Sequence, residues 1–161
     1  MMRVIKISLA AFVALFCVFY ALQNIVNLQA AHGFVAYVAS MADHVPYPAH
    51  LGPPITAPAL TWTMLLIIIA LELGAGLLAA KGAYDMFTSR NAPADDFNAA
   101  KSLAVAGCGV GIIVWFGLFG AIGGPYFQMW QTEAGVNALR DASMFSIQLG
   151  IVLLILSQKD D

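Results

Sequence analysis

LTWTMLLIIIALELGAGLLAA, the stretch Leu60–Ala80, decides the fold. Apart from Glu72 it carries no charge. About 20 consecutive apolar residues are what an α-helix needs to cross the hydrocarbon of a bilayer. Three further runs of this kind occur, at Ile5–Val26, Ser102–Ile122 and Ala142–Ser157. They predict helices over about residues 5–27, 59–81, 101–123 and 138–157. The expected fold is all-α: a four-helix transmembrane bundle forming a single membrane domain over residues 1–161.

Composition agrees. The chain is 61% hydrophobic and 10% charged, against about 25% charged in ordinary soluble domains. Mean hydropathy is +0.82. The net charge of -2 offers no polybasic face and argues against nucleic acid as a partner. Arg3 and Lys6 could open a signal peptide, but the apolar run after them outlasts the usual ~7–15 residues. The first segment therefore reads as a retained helix. Cys17 and Cys108 both fall inside apolar runs, with no C-x-x-C or metal spacing, and read as small buried hydrophobes.

Lys and Arg set the orientation. Arg3, Lys6, Lys81, Arg90, Lys101 and Lys159 fall at the N-terminus, around the second loop and in the C-terminal tail, leaving only Arg140 on the other side. The expectation is an up-down-up-down bundle in a bacterial cytoplasmic (inner) membrane with both termini cytoplasmic. The first loop, Gln29–Thr56, and the third, Gly123–Leu139, would then face outward. Pro53, Pro54 and Pro58 precede the second helix, where proline is tolerated. Trp62, Tyr126, Phe127 and Trp130 suit the headgroup level. Asp95 or Asp96 is expected to cap helix three.

Gly107-x-x-x-Gly111 and Gly120-x-x-x-Gly124 on helix three, with Gly76 on helix two, are small-residue positions that let helix backbones approach. Packing of helices two and three against each other is the expected use, and packing against another subunit is the alternative.

The candidate ligand or proton site rests on groups that do not belong in lipid. Glu72 lies near the middle of its span, where an ionised carboxylate costs about 2.5–3.5 kcal/mol. It should face the bundle interior, protonated or paired, either as a proton or ligand site or as a hydrogen-bonded register pin. Arg140, at the outer end of helix four beside Asp141 and not far from Glu133, reads as a surface ion pair, as a snorkelling cation or as an anchor for a ligand. An outer rim of Gln23, Asn24, Asn27, His32, His44, His50, Gln128, Trp130 and Gln131 could form a polar pocket or an ordinary wet boundary. No cofactor is indicated, since none of the three His lies in a span where a haem would need it. A zinc site from His32, His44 and His50 would require loop folding that the sequence does not specify. No nucleophile elbow, P-loop or dinucleotide fingerprint is present. A bound lipid or quinone is compatible with an apolar groove near Trp115 and Phe116.

Gln23-Asn24-Ile25, Phe34–Met41, Glu72, Lys101, Ile122–Gln131 and Arg140 together form a pattern covering nearly the whole chain. On these residues the chain resembles the bacterial family of predicted small integral membrane proteins, a domain of unknown function. The stretches Gly-Gly-x-aromatic-Phe-x-Met-Trp-Gln and Phe-Val-x-x-Val-x-Ser-Met are its most specific parts. The resemblance implies four membrane helices and no assigned activity.

The leading expectation is a non-catalytic accessory subunit of a larger bacterial membrane complex, a respiratory one among the candidates, with lipids and larger membrane subunits as partners. The alternatives are a small proton-coupled transporter using Glu72 and a lipid- or quinone-binding protein using Gln128, Trp130 and Arg140. Glu72→Gln would discriminate the first alternative, and loss of Arg140 the second.

Overall fold

A computed structural model describes residues 1–161 in full. It is all-helical: α1 (Met2–Val26), α2 (Leu28–Ser40), α3 (Pro58–Thr88), α4 (Ala94–Ala100), α5 (Ser102–Ile112) and α6 (Glu133–Ser157). A π-helical segment, Ile113–Gly123, continues α5, and a 3-10 turn spans Met129–Gln131. Four helical stretches are long and apolar enough to cross a membrane: Met2–Val26, Pro58–Thr88, Ala94–Gly123 and Glu133–Ser157.

Local chemistry sets the ends. Pro58 opens α3, where its missing N–H costs nothing. The Thr132 hydroxyl accepts the Gly135 N–H at 3.2 Å and caps α6. Met41, with φ 52, turns the chain out of α2 in the left-handed region.

Several boundaries differ from the sequence reading. The second span runs on to Thr88 and the fourth begins at Glu133, because amphipathic turns extend both helices past their apolar cores. The third is split into α4, α5 and the π-helical segment. A π-helix has a wider register, in which an N–H reaches back five residues. Gly124 N–H to the Phe119 carbonyl, 2.9 Å, and Phe127 N–H to the Ile122 carbonyl, 3.3 Å, are such bonds at its end, on either side of Pro125. Asp95 and Asp96 do not cap the third span. Pro93 is the capping position, and both acids lie in the first turn of α4, where they oppose the positive helix end.

The first loop contains a helix. α2 follows α1 after a single break at Asn27 (φ -112, ψ 35). It lays Leu28, Ala31 and Val35 against Leu65, Ile69 and Leu73 of α3. His32 stacks on Trp62, centroids 3.9 Å apart and 5° from parallel, and its Nε2 lies 2.9 Å from the Thr61 hydroxyl.

The core is built from small side chains. Ala10, Ala14 and Cys17 of α1, Ala75, Ala79 and Ala83 of α3, and Ala104 and Cys108 of α5 are buried together. Without a hydrophobic drive between helices in lipid, close backbone approach supplies the dispersion that holds them. A Cβ at Gly76 would stand 2.6 Å from Val18 of α1, and one at Gly107 2.7 Å from the Ala75 carbonyl of α3. A Cβ at Gly82 would overlap the Ala104 backbone of α5. Gly111 faces Leu149 of α6 and Cys17 of α1. Gly107 therefore serves the helix-two to helix-three contact, whereas Gly76 and Gly111 serve other pairs. Gly120 and Gly124 make no close contact between helices two and three. A Cβ at Gly124 would meet the Gly120 carbonyl, within the wide π-helical turn itself. Phe16, Tyr20, Trp115 and Phe145 close one side of the bundle, with Phe16 centroids 5.1 Å from both Trp115 and Phe145.

Candidate functional site

Glu72 is buried, 2% exposed, and takes one hydrogen bond, from the Asn24 amide of α1 to its Oε2 at 2.9 Å. No Lys or Arg pairs with it; the three ion pairs are Lys6–Asp160, Lys81–Asp85 and Lys101–Asp160. Asn27, at the α1–α2 break, donates back to the Gln23 carbonyl at 3.0 Å. The polar run at the end of α1 thus splits its work: Asn24 ties α1 to α3, while Gln23 and Asn27 brace the break.

Gln128 and Trp130 do not meet Glu72 or Arg140. They hold the loop between α2 and α3. Gln128, with φ 48, donates to the Ala49 carbonyl at 3.2 Å. Gln131 accepts the Tyr47 N–H at 2.8 Å and donates to its carbonyl at 3.0 Å, a pairing like that between neighbouring β-strands. Trp130 meets Tyr47 edge-on, centroids 5.1 Å apart. The residues read as a ligand rim form a loop clasp.

The three His do not converge either. His32 is on α2 against α3. His44 and His50 pack edge to face at 5.4 Å, and His44 Nδ1 and His50 Nε2 are buried without partners. Burial pushes the His44 imidazole below its ordinary value, the neighbouring His50 adds to this, and Asp43 opposes it. No three His, Cys, Asp or Glu side chains come close enough to hold a metal ion.

The most developed polar site was missed from the sequence. Lys6 of α1 and Lys101, between α4 and α5, are 1% and 4% exposed. Both converge on Asp160: Lys6 Nζ lies 2.6 Å from its Oδ2, and Lys101 pairs with the same oxygen. Each also donates to the Gln158 carbonyl, at 2.6 and 2.8 Å. Asn98 bonds Lys101 and the Asp160 N–H through its Oδ1. Arg3 donates to the Arg90 and Ala92 carbonyls at 3.1 and 2.7 Å and stacks over Phe97 at 4.7 Å. The N-terminus, the connection after α3 and the C-terminal tail are thereby fastened at one end of the bundle. Asp160 is pushed up by burial but pulled further down by the hydrogen bonds from Lys101 and Lys6, so its carboxyl titrates below 3.8. The signal was available: Lys101 stands in the family pattern, and Lys6 lies a full turn inside an apolar helix.

Arg140 forms no ion pair with Asp141 or Glu133. It is exposed on α6, the least covered span, with 17% of its apolar window buried against 33% for α1 and α3. Gly135, Ala142, Leu149 and Leu156, seven residues apart, form the buried face of α6. The opposite face exposes Asn137, Asp141, Met144, Gln148 and Ile151.

Trp115 and Phe116 do not frame a groove. Trp115 is buried in the aromatic cluster and Phe116 points outward, 61% exposed. An apolar cavity of about 220 Å³ lies elsewhere, between α2, α3 and the π-helical segment, lined by Phe34, Val38, Met64, Ile67, Phe119 and Phe127 among others.

No curated protein and no solved structure matches this chain. A family model does, across residues 2–159, under the description "Predicted small integral membrane protein (DUF2165)". With four membrane-spanning helices and that match over nearly its whole length, the chain belongs to the DUF2165 family of predicted small integral membrane proteins.

Proposed function

We propose that this protein is a non-catalytic accessory subunit of a larger membrane assembly, with α6 as its docking helix. One observation carries the reading: α6 leaves Gln148 uncovered inside a membrane span, with Asn137, Arg140 and Asp141 on the same exposed face toward its polar end. Unpartnered polar groups in hydrocarbon are costly and are usually met by a neighbouring helix. The interior supports the same reading. Glu72 is tied to Asn24, and the amides of Gln128 and Gln131 hold a loop. The positive-inside distribution supports an up-down-up-down arrangement in a bacterial inner membrane, both termini cytoplasmic.

The test is gentle solubilisation of native membranes, capture by a C-terminal tag, and mass spectrometry of native-gel bands. Stoichiometric association with larger membrane proteins is expected. A species containing no other protein overturns the accessory role.

The cavity lined by Phe34, Met64 and Phe119 favours a second reading, binding of a lipid or quinone tail. Val38→Phe should fill it and abolish retention of such a molecule, read by mass spectrometry of lipid extracts from purified protein. Unchanged retention, or none in the parent protein, removes this reading.

A further inference from the structure

The exposed face of α6 has a regular spacing. Asn137, Asp141, Met144, Gln148 and Ile151 follow one another at intervals of four, three, four and three residues, and all five are exposed. That spacing keeps side chains on one seam of a left-handed helix pair. Met144 and Ile151 are 48% and 54% exposed.

The polar members of the seam are the unusual ones. The spans contain five side-chain amides: Gln23, Asn24, Asn98, Asn137 and Gln148. Gln23, Asn24 and Asn98 are hydrogen bonded. The two without partners, Asn137 and Gln148, both lie on this seam. Gln148 is far from either membrane surface, since the adjacent Leu149 packs on Gly111 in the middle of the bundle. Arg140, without an ionic partner, lies ~100° round the helix from Asp141, which also has none.

These groups complement themselves. A primary amide both donates and accepts, so two Gln148 side chains facing across a two-fold axis satisfy each other. The same axis sets Asp141, seven residues before Gln148 on the seam, against its own copy, and Arg140, which flanks the seam, stands beside the Asp141 of the other chain, so two cations meet two anions. A different partner would have to supply that whole set; a second copy of this chain carries it already. We propose that α6 is a homodimer seam, two copies packing with parallel α6 helices, Gln148 to Gln148 and Arg140 to Asp141. This rests on the reading of α6 as the docking helix and names a second copy of this chain, in place of a larger subunit, as what docks on that face.

The test uses the full chain in native membranes, with Met144→Cys or Ile151→Cys and copper-phenanthroline as thiol oxidant. The expected result is a disulfide-linked species of twice the monomer mass, absent for Phe12→Cys on the lipid face of α1. Gln148→Leu should weaken the dimer about tenfold. Arg140→Asp should weaken it too, and adding Asp141→Arg in the same chain should restore it, which a misfolded variant would not do. Cross-linking only to a different protein overturns the second copy and leaves α6 as a docking helix. No cross-link from either position overturns the second copy.

Discussion

Glu72 has one hydrogen-bond donor and no counter-charge, and those two facts fix what its replacement does. A glutamine keeps an oxygen where the Asn24 amide points. Glu72→Gln should therefore leave thermal stability in detergent within about 1 kcal/mol of the parent, whereas Asn24→Leu should cost about 1–2 kcal/mol by leaving Glu72 buried alone. Equal losses in both would show that the carboxyl's charge, rather than the bond, matters. Glycines separate in the same way. A Cβ at Gly82 has no room against the Ala104 backbone, while Gly109 has nothing within 4 Å. Gly82→Ala should destabilise by about 1–3 kcal/mol through forced separation of α3 and α5. Gly109→Ala should be neutral or stabilising by up to ~1 kcal/mol from helix propensity. Both are read as shifts in Tm. The paired-glycine motifs drew attention in the sequence; Gly82 did not, because its partner is a backbone that no spacing rule displays.

The element most dependent on one side chain is the C-terminal tail. Asp160 faces Lys6, Lys101 and Asn98, and its carboxyl lies below 3.8 when folded. A depressed folded value means that the pairing contributes fully above about pH 3.8 and fades as pH falls through the lower folded value. Acid should therefore release the tail from the bundle end, seen as rising mobility of a spin label on Ser157→Cys. In Asp160→Asn the label should be mobile already at neutral pH, with a loss of about 2–3 kcal/mol, below the ~3–5 kcal/mol of a fully enclosed pair. A label insensitive to both changes would remove Asp160 as the tether. The four spans were legible because each is an apolar run of membrane length. α2 was not, although Leu28, Ala31, Val35 and Val38 recur at helical spacing, because its polar neighbours resemble a loop. The π-helical turn of Ile113–Gly123 has no separate signal, since the residues that permit it are glycines common in any membrane helix. The Asp160 cluster was hidden by distance: its ion pairs join residues more than fifty positions apart.

At the scale of the whole molecule, the ends of the bundle differ in charge. Arg3, Lys6, Lys101 and the carbonyls of Arg90 and Ala92 meet at one end, and Tyr47, Ala49, Gln128 and Gln131 at the other. Asp85, Asp95, Asp96, Asp160 and Asp161 share the basic end, but acidic residues weigh little in orienting a membrane protein. Arg140 alone argues the other way, from inside a span. The balance predicts that Ala49→Cys reacts with a membrane-impermeant maleimide in intact cells and that Ser89→Cys reacts only after permeabilisation. The native thiols do not confuse the readout, since Cys17 and Cys108 are fully buried. The reverse pattern would place the basic end outside, and would mean that the Lys6–Lys101–Asp160 cluster is neutralised before insertion and carries no topogenic weight. Labelling of both positions in intact cells would put the two loops on the same face and break the four-span topology itself.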